Sequence, residues 1–157
     1  MAATHDVSEA VRAFTEHEHL ELARGINHIH EAARSVGQLA GAGSVLQVRD
    51  VLNWFDRDLA PHLAWEETWL YPRIDTIAGT PWATRSMRFD HVQLRAVVEG
   101  LRTDERDAVH DHTRALDERL RCRLFALEAL VRAHVEREER LLVPLLSDDE
   151  GRVEGLA

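Results

Sequence analysis

The sequence predicts an all-α protein: an up-down-up-down antiparallel four-helix bundle with a metal site in its core. Three observations predict it. Apolar residues recur at helical spacing in four long blocks, at about 8–38, 44–71, 81–102 and 112–143. Glycines and prolines fall between the blocks, and no segment alternates with the period of two that a half-buried strand shows. Histidines and glutamates also repeat at one fixed offset, as they would in a duplicated helix pair.

Each helix has its own punctuation. The first, 8–38, runs into a turn marked by Gly37, Gly41 and Gly43. Pro72 is expected to end the second, since proline breaks a helix interior. Gly79, Thr80 and Pro81 precede the third, and Pro81 is acceptable in a first helical turn. Residues 103–111, rich in Asp and Arg, read as the connection to the fourth helix. Pro144 is expected to close that helix, leaving 147–157 as a polar tail. Residues 1–157 read as one domain, long enough to bury a substantial core.

Composition excludes several function classes. There are 28 acidic residues against 19 basic ones, a formal net charge of −9, and the basic residues are dispersed. A nucleic-acid surface needs clustered Lys and Arg, so none is expected. No apolar run approaches the ~18–20 residues of a membrane span. The first residues, Met1 to Asp6, have neither a basic nor an apolar signal region, and a cytoplasmic location is expected. The single Cys122 can form neither an internal disulfide nor a thiolate zinc site. Ten histidines are many for this length, and their placement carries the argument.

His62-Leu63-Ala64-Trp65-Glu66-Glu67 returns 72 residues later as His134-Val135-Glu136-Arg137-Glu138-Glu139. The copies continue through Leu70-Tyr71-Pro72-Arg73-Ile74 and Leu142-Val143-Pro144-Leu145-Leu146. The same offset carries Glu18-His19 onto Asp90-His91, and Leu22 onto Leu94. Two lone histidines and two His-x-x-x-Glu pairs therefore stand 43, 29 and 43 residues apart. Imidazole and carboxylate on one helix face suit iron or a similar borderline metal. The duplication predicts two such ions related by a local pseudo-twofold.

Helical phase, at about 100° per residue, tests which side chains face inward. His19 shares its face with Leu22, Ile26 and Ile29, whereas His17 and His28 fall on the far side. His62 groups with Val51, Phe55, Leu59 and Trp69, and His91 with Met87, Leu94 and Val98. His134 groups with Leu127, Leu130, Val131 and Leu141. Glu66 and Glu138 lie about 40° from their histidines, while Glu67 and Glu139 fall about 140° away and should be outside. One core histidine is more often a packing residue than a ligand. Two inward carboxylates in an apolar bundle are different, because buried charge is costly and a cation is one of few ways to offset it.

Other residues take plainer readings. His30 points inward but sits about 16 Å along the axis from His19, too far to join the site. His5, His110 and His112 fall in the tail or connection and are expected in solvent. Asp58 lies on the inner face one turn before His62, where it either orients that ligand or carries a buried salt bridge.

With these residues in place, the chain resembles hemerythrin-like proteins, the group described as HHE cation-binding domains. The specific parts are Glu18-His19 with Leu22, His62-x-x-x-Glu66-Glu67-x-x-Leu70-Tyr71-Pro72, Asp90-His91, and His134-x-x-x-Glu138-Glu139-x-x-Leu142-x-Pro144. The resemblance covers nearly the whole chain. It implies a four-helix bundle holding two iron ions bridged by two carboxylates and an oxo or hydroxo group. By resemblance, Glu66 and Glu138 would bridge, His19 and His62 would bind one iron, and His91 and His134 the other. Oxygen-carrying members have a second histidine one turn after the third-helix histidine, where this chain has Arg95. Arg95 would either stabilise an anion such as peroxide in the pocket or snorkel to the surface.

The leading expectation is a non-haem di-iron protein reacting with or sensing O2, peroxide or nitric oxide, with weak catalase-like activity. The alternative is a reversible oxygen or iron binding or storage module without turnover. A ferritin-like enzyme needs Glu-x-x-His on two helices. Glu16-x-x-His19 matches once, but Arg88 stands where His91 would need its glutamate. His-Glu-x-x-His of zinc hydrolases is absent, as are nucleophile motifs and Gly-rich phosphate loops. No protein partner is indicated.

Overall fold

The computed structural model describes residues 2–38 and 41–146, with side chains described from His19 onward. It is a four-helix bundle. The first helix spans Ala2–Ser35. The second is a composite rod: α-helix Gly41–Trp54, π-turn Phe55–Leu59, α-helix Ala60–Trp65, π-turn Glu66–Leu70 and α-helix Tyr71–Ala78. The third spans Arg85–His110. The fourth runs over Arg114–Arg137, through a π-turn at Glu138–Leu142, to residue 146. The first and third helices each pack on the second and fourth. Among the described residues there is no strand, and no helix is long and apolar enough to cross a membrane.

Two apolar clusters fill the interior. The larger contains Leu59, Leu63, Leu94, Leu101, Leu120, Leu124 and Val131; the smaller contains Leu70, Tyr71, Ile74, Met87, Leu142 and Leu146. Between them lies one polar layer with His19, His62, Glu66, His91, His134 and Glu138, all buried. Two left-handed glycines shape the connections: Gly37 at φ 84° after the first helix, and Gly79 at φ 67° capping the second. Asp75 accepts hydrogen bonds from the Thr84 amide and hydroxyl, tying the second connection to the second helix.

The prolines do not end their helices. Pro61, Pro72 and Pro144 each follow directly on a π-turn whose closing amide reaches back five residues: Ala60 to Phe55, Tyr71 to Glu66 and Val143 to Glu138. A proline in an α-helix lacks its amide and presses its ring on the carbonyl four residues back. Widening the preceding turn relieves that clash, so the rod continues. The second helix consequently extends to Ala78, past the expected end at Pro72. Pro144 likewise lies within helix, and the expected tail 147–157 lies outside the described residues.

Other boundaries shift for identifiable reasons. The stretch 103–111, expected as a loop, is helical through His110. Two of its acidic residues are not solvated: buried Asp104 pairs with Arg119 and Arg123, and buried Glu105 with Arg49. Pro81 sits in the turn before the third helix, which begins at Arg85. The fourth helix starts at Arg114 because the Thr113 hydroxyl accepts the Leu116 amide as an N-cap. Helices one and two begin earlier than expected, at Ala2 and Gly41.

Pro72→Ala tests the link between proline and π-turn. Alanine restores the amide and removes the ring, and in a helix interior it is favoured by ~3 kcal/mol. The metal-free protein should therefore melt at an unchanged or higher temperature. The turn should tighten and carry Tyr71 off the Glu66 face, so the stabilisation conferred by added Fe(II) should shrink. Thermal melts with and without Fe(II) check both.

Candidate metal centre

Each helix sends side chains into the polar layer. The first contributes His19, the second His62 and Glu66, the third His91, and the fourth His134 and Glu138. All four histidines turn Nε2 towards the carboxylates. His62 Nε2 lies 2.7 Å from Glu66 Oε1, while His91 Nε2 and His134 Nε2 lie 3.0 and 3.4 Å from Glu66 Oε2. His19 Nε2 lies 3.0 Å from Glu138 Oε2. Two ligand groups result. His19, His62, Glu66 and Glu138 bring donor atoms within 4.8 Å of one another, and so do Glu66, His91 and His134. Glu66 belongs to both, one oxygen facing each histidine pair.

An outer ring of acids holds the histidines. His91 Nδ1 lies 2.7 Å from Glu67, whose carboxylate also accepts from Arg95 at 2.9 Å. His19 Nδ1 lies 3.2 Å from Glu139. Asp90, buried and paired with Arg137 at 2.7 Å, lies 3.8 Å from His134 Nδ1. Such partners set the tautomer and orientation of an imidazole ligand. Glu67 and Glu139 are at the rim, as their phase predicts, yet they reach inward to the outer nitrogens. The signal available in sequence was the second glutamate of each Glu-Glu pair, repeated at the same offset.

Tyr71 is a buried site residue that helical phase did not find. Its hydroxyl lies 3.0 Å from His91 Nε2 and donates to Glu66 Oε2 at 3.3 Å. At about 100° per residue Tyr71 falls some 140° from Glu66. The π-turn between them brings both to one face. The same turns expel Trp69 and Leu141, expected beside His62 and His134 but 69% and 60% exposed.

Without a cation, protons shared among its carboxylates and histidines balance the charges of the layer. Burial alone would raise Glu66, but hydrogen bonds from His134, His62 and His91 and from Glu138 hold it well below the usual carboxylate range. Burial, joined by the charge of Glu66, pushes Glu138 up to about 7 against the lowering pull of His19. The two adjacent carboxylates therefore resist being charged together. His19 and His134 lose basicity to burial but regain more from the carboxylates around them, so both lie above the ordinary histidine value. Glu138 Oε1 and His134 Nδ1 are buried without a hydrogen bond among the described residues. Four imidazoles, two carboxylates and a phenol with such orphaned atoms fit a borderline divalent or trivalent ion.

Residues 11–146 match the family description "Hemerythrin HHE cation binding domain". The chain belongs to the hemerythrin HHE cation-binding domain family. Comparison with curated proteins and with solved structures returned no match. Within this hemerythrin domain the remaining sequence candidates fall away from the buried layer. Arg95 is an exposed residue on the outer side of His91, bound to Glu67. Asp58 does not carry a buried salt bridge: it is half-exposed and bonded to exposed Arg57. His30 stands at the rim, 3.0 Å from Glu128, so the inward placement was too deep. His28, His110 and His112 are exposed, while the side chains of His5 and His17 lie outside the described residues.

Cation binding by the domain should weaken as pH falls through about 7, the value to which Glu138 is raised. Below it the carboxyl holds a proton that the ion must displace, and His19 and His134 compete in the same direction. Calorimetric titration with Co(II) in two buffers of different ionisation enthalpy should reveal proton release that grows as pH is lowered.

Proposed function

We propose that this hemerythrin domain is a non-haem di-iron protein that reacts with or senses O2, peroxide or nitric oxide. The observation carrying it is Glu66, whose two oxygens face separate histidine pairs. One carboxylate between two imidazole sets calls for two ions rather than one. In this reading His19 and His62 would hold one ion and His91 and His134 the other, with Glu66 and Glu138 shared between them. Bound iron would supply a centre that cycles between ferrous and ferric states and binds small diatomic or peroxide ligands.

The chain's own residues do the rest. Apolar clusters on both sides of the layer restrict bulk water. Glu67 and Glu139 fix the His91 and His19 rings, and Asp90 faces that of His134. The Tyr71 hydroxyl is a proton donor inside the pocket; burial, then the charges of Glu66 and Glu138, push it above the ordinary phenol value and keep it protonated. Arg95 acts on His91 through Glu67, so peroxide stabilisation passes to Tyr71.

Tyr71 also favours a second reading. Its oxygen lies on the His91 and His134 side, 3.0 Å from His91 Nε2, where it could occupy one position on the ion there. One filled and one open position suit reversible binding without turnover. The spectrum of reduced protein exposed to air, evacuated and exposed again separates the two. Peroxide turnover that falls at least tenfold in Tyr71→Phe supports the redox reading. An oxygen adduct that forms and releases over many cycles, with no peroxide consumption, supports the carrier.

Glu66→Ala should lose both ions together, as measured by metal analysis after iron-replete expression, whereas His28→Ala should keep both. One zinc per chain in the native protein would sink the di-iron reading.

A further inference from the structure

A cleft of about 850 Å³ lies between the first and second helices and reaches a donor of the buried layer. Buried His62 forms its inner end, beside Leu22 and Pro61. Trp54 forms part of the wall, so close to the first helix that a Cβ at Gly25 would collide with the indole. Glycine at 25 therefore seats that ring against the first helix. The space admits a hydrated ion, at about 30 Å³ per water. A diatomic ligand needs far less.

The charges of the lining decide which solute it suits. Three carboxylates, Glu21, Asp50 and Asp58, stand against two guanidiniums, Arg24 and Arg57. Both guanidiniums are tied up within the wall, Arg24 with Glu21 at 2.7 Å and Arg57 with Asp58 at 2.6 Å. Asp50 remains, exposed at the mouth, and among the described residues nothing pairs with it. An excess negative charge between low-dielectric helices, in a chain of net charge −9, concentrates cations and repels anions.

We propose that this cleft is the entrance through which a hydrated divalent cation reaches the layer. Asp50 meets the ion at the mouth, and His62 takes it at the inner end. Such an entrance requires cation binding by the layer, whatever the number of ions held. Asn53, also at the mouth, stands nine residues before His62. That is roughly 13 Å along the helix, beyond the Debye length of about 8 Å at physiological salt. Groups at the mouth therefore act on the ion in passage and not on the bound ion. They change entry and release by one factor and leave Kd alone.

The test follows Co(II) release and uptake by the full chain carrying Cys122→Ala and Asn53→Cys. Position 53 is exposed, so the introduced thiol of the loaded, folded protein accepts a thiosulfonate cap bearing either a trimethylammonium or a sulfonate. Relative to the anionic cap, the cationic cap should slow release into excess chelator and renewed uptake alike, each about tenfold, with Kd unchanged. Raising salt should narrow that gap. In the native chain Asp50→Asn should slow uptake about threefold. Glu118→Gln, which removes the same charge from the fourth helix, should not. Equal rates with the two caps would overturn the entrance, as would equal slowing by Asp50→Asn and Glu118→Gln. A Kd that moves with the rates would make the mouth part of the binding site and overturn it too. All three outcomes leave the two-ion reading standing, since stoichiometry at saturation does not depend on the route.

Discussion

A carboxylate buried at the centre of the bundle is the constraint on which the rest depends. Glu66 is fully inaccessible, and placing an ionised carboxyl there costs several kcal/mol unless its oxygens are matched. Three imidazoles within 3.4 Å and the Tyr71 hydroxyl at 3.3 Å supply that match. Those imidazoles then need their own outer partners, and Glu67 and Asp90 with their arginines follow from that need. Apolar clusters above and below make the layer dry enough for these contacts to be strong. Replacing Glu66 by a neutral group would leave the whole ring without a centre.

Much of this was legible in the sequence. The four-helix architecture follows from apolar period, and six buried polar residues follow from one repeated offset. What failed was phase beyond a proline. Counting about 100° per residue holds from Val51 to Glu66 only because the first π-turn and the short helix after it leave His62 and Glu66 one turn apart. After Glu66 the wider turn shifts every later side chain, so Trp69 moves out and Tyr71 moves in. Proline signalled a defect at the right place, but its remedy was a widened turn rather than an end. A π-turn next to a ligand is a recurring device at functional sites.

The outer contacts were less legible for a different reason. Glu67 and Glu139 are neither core nor solvent: they stand at the rim and bend back to an imidazole nitrogen. A binary inside-or-outside phase has no category for such a residue. The same limit affected Asp104 and Glu105, whose acidic, Arg-rich surroundings read as a loop. They are buried because arginines from neighbouring helices reach over them. Long side chains make these pairings, and helical phase does not encode their reach.

The duplication also explains why the bundle and the centre form together. Neither repeat completes its own ligand set. Glu138 of the second repeat serves His19 of the first, while Glu66 of the first serves His91 and His134 of the second. A helix pair alone would leave a buried carboxylate facing too few imidazoles, so each half is unfavourable until the other docks. A cation bound in the layer would add its affinity to that docking, since ligands scattered over four helices converge only in the folded bundle. Exchanging glutamates between halves thus makes metal binding and assembly one cooperative event.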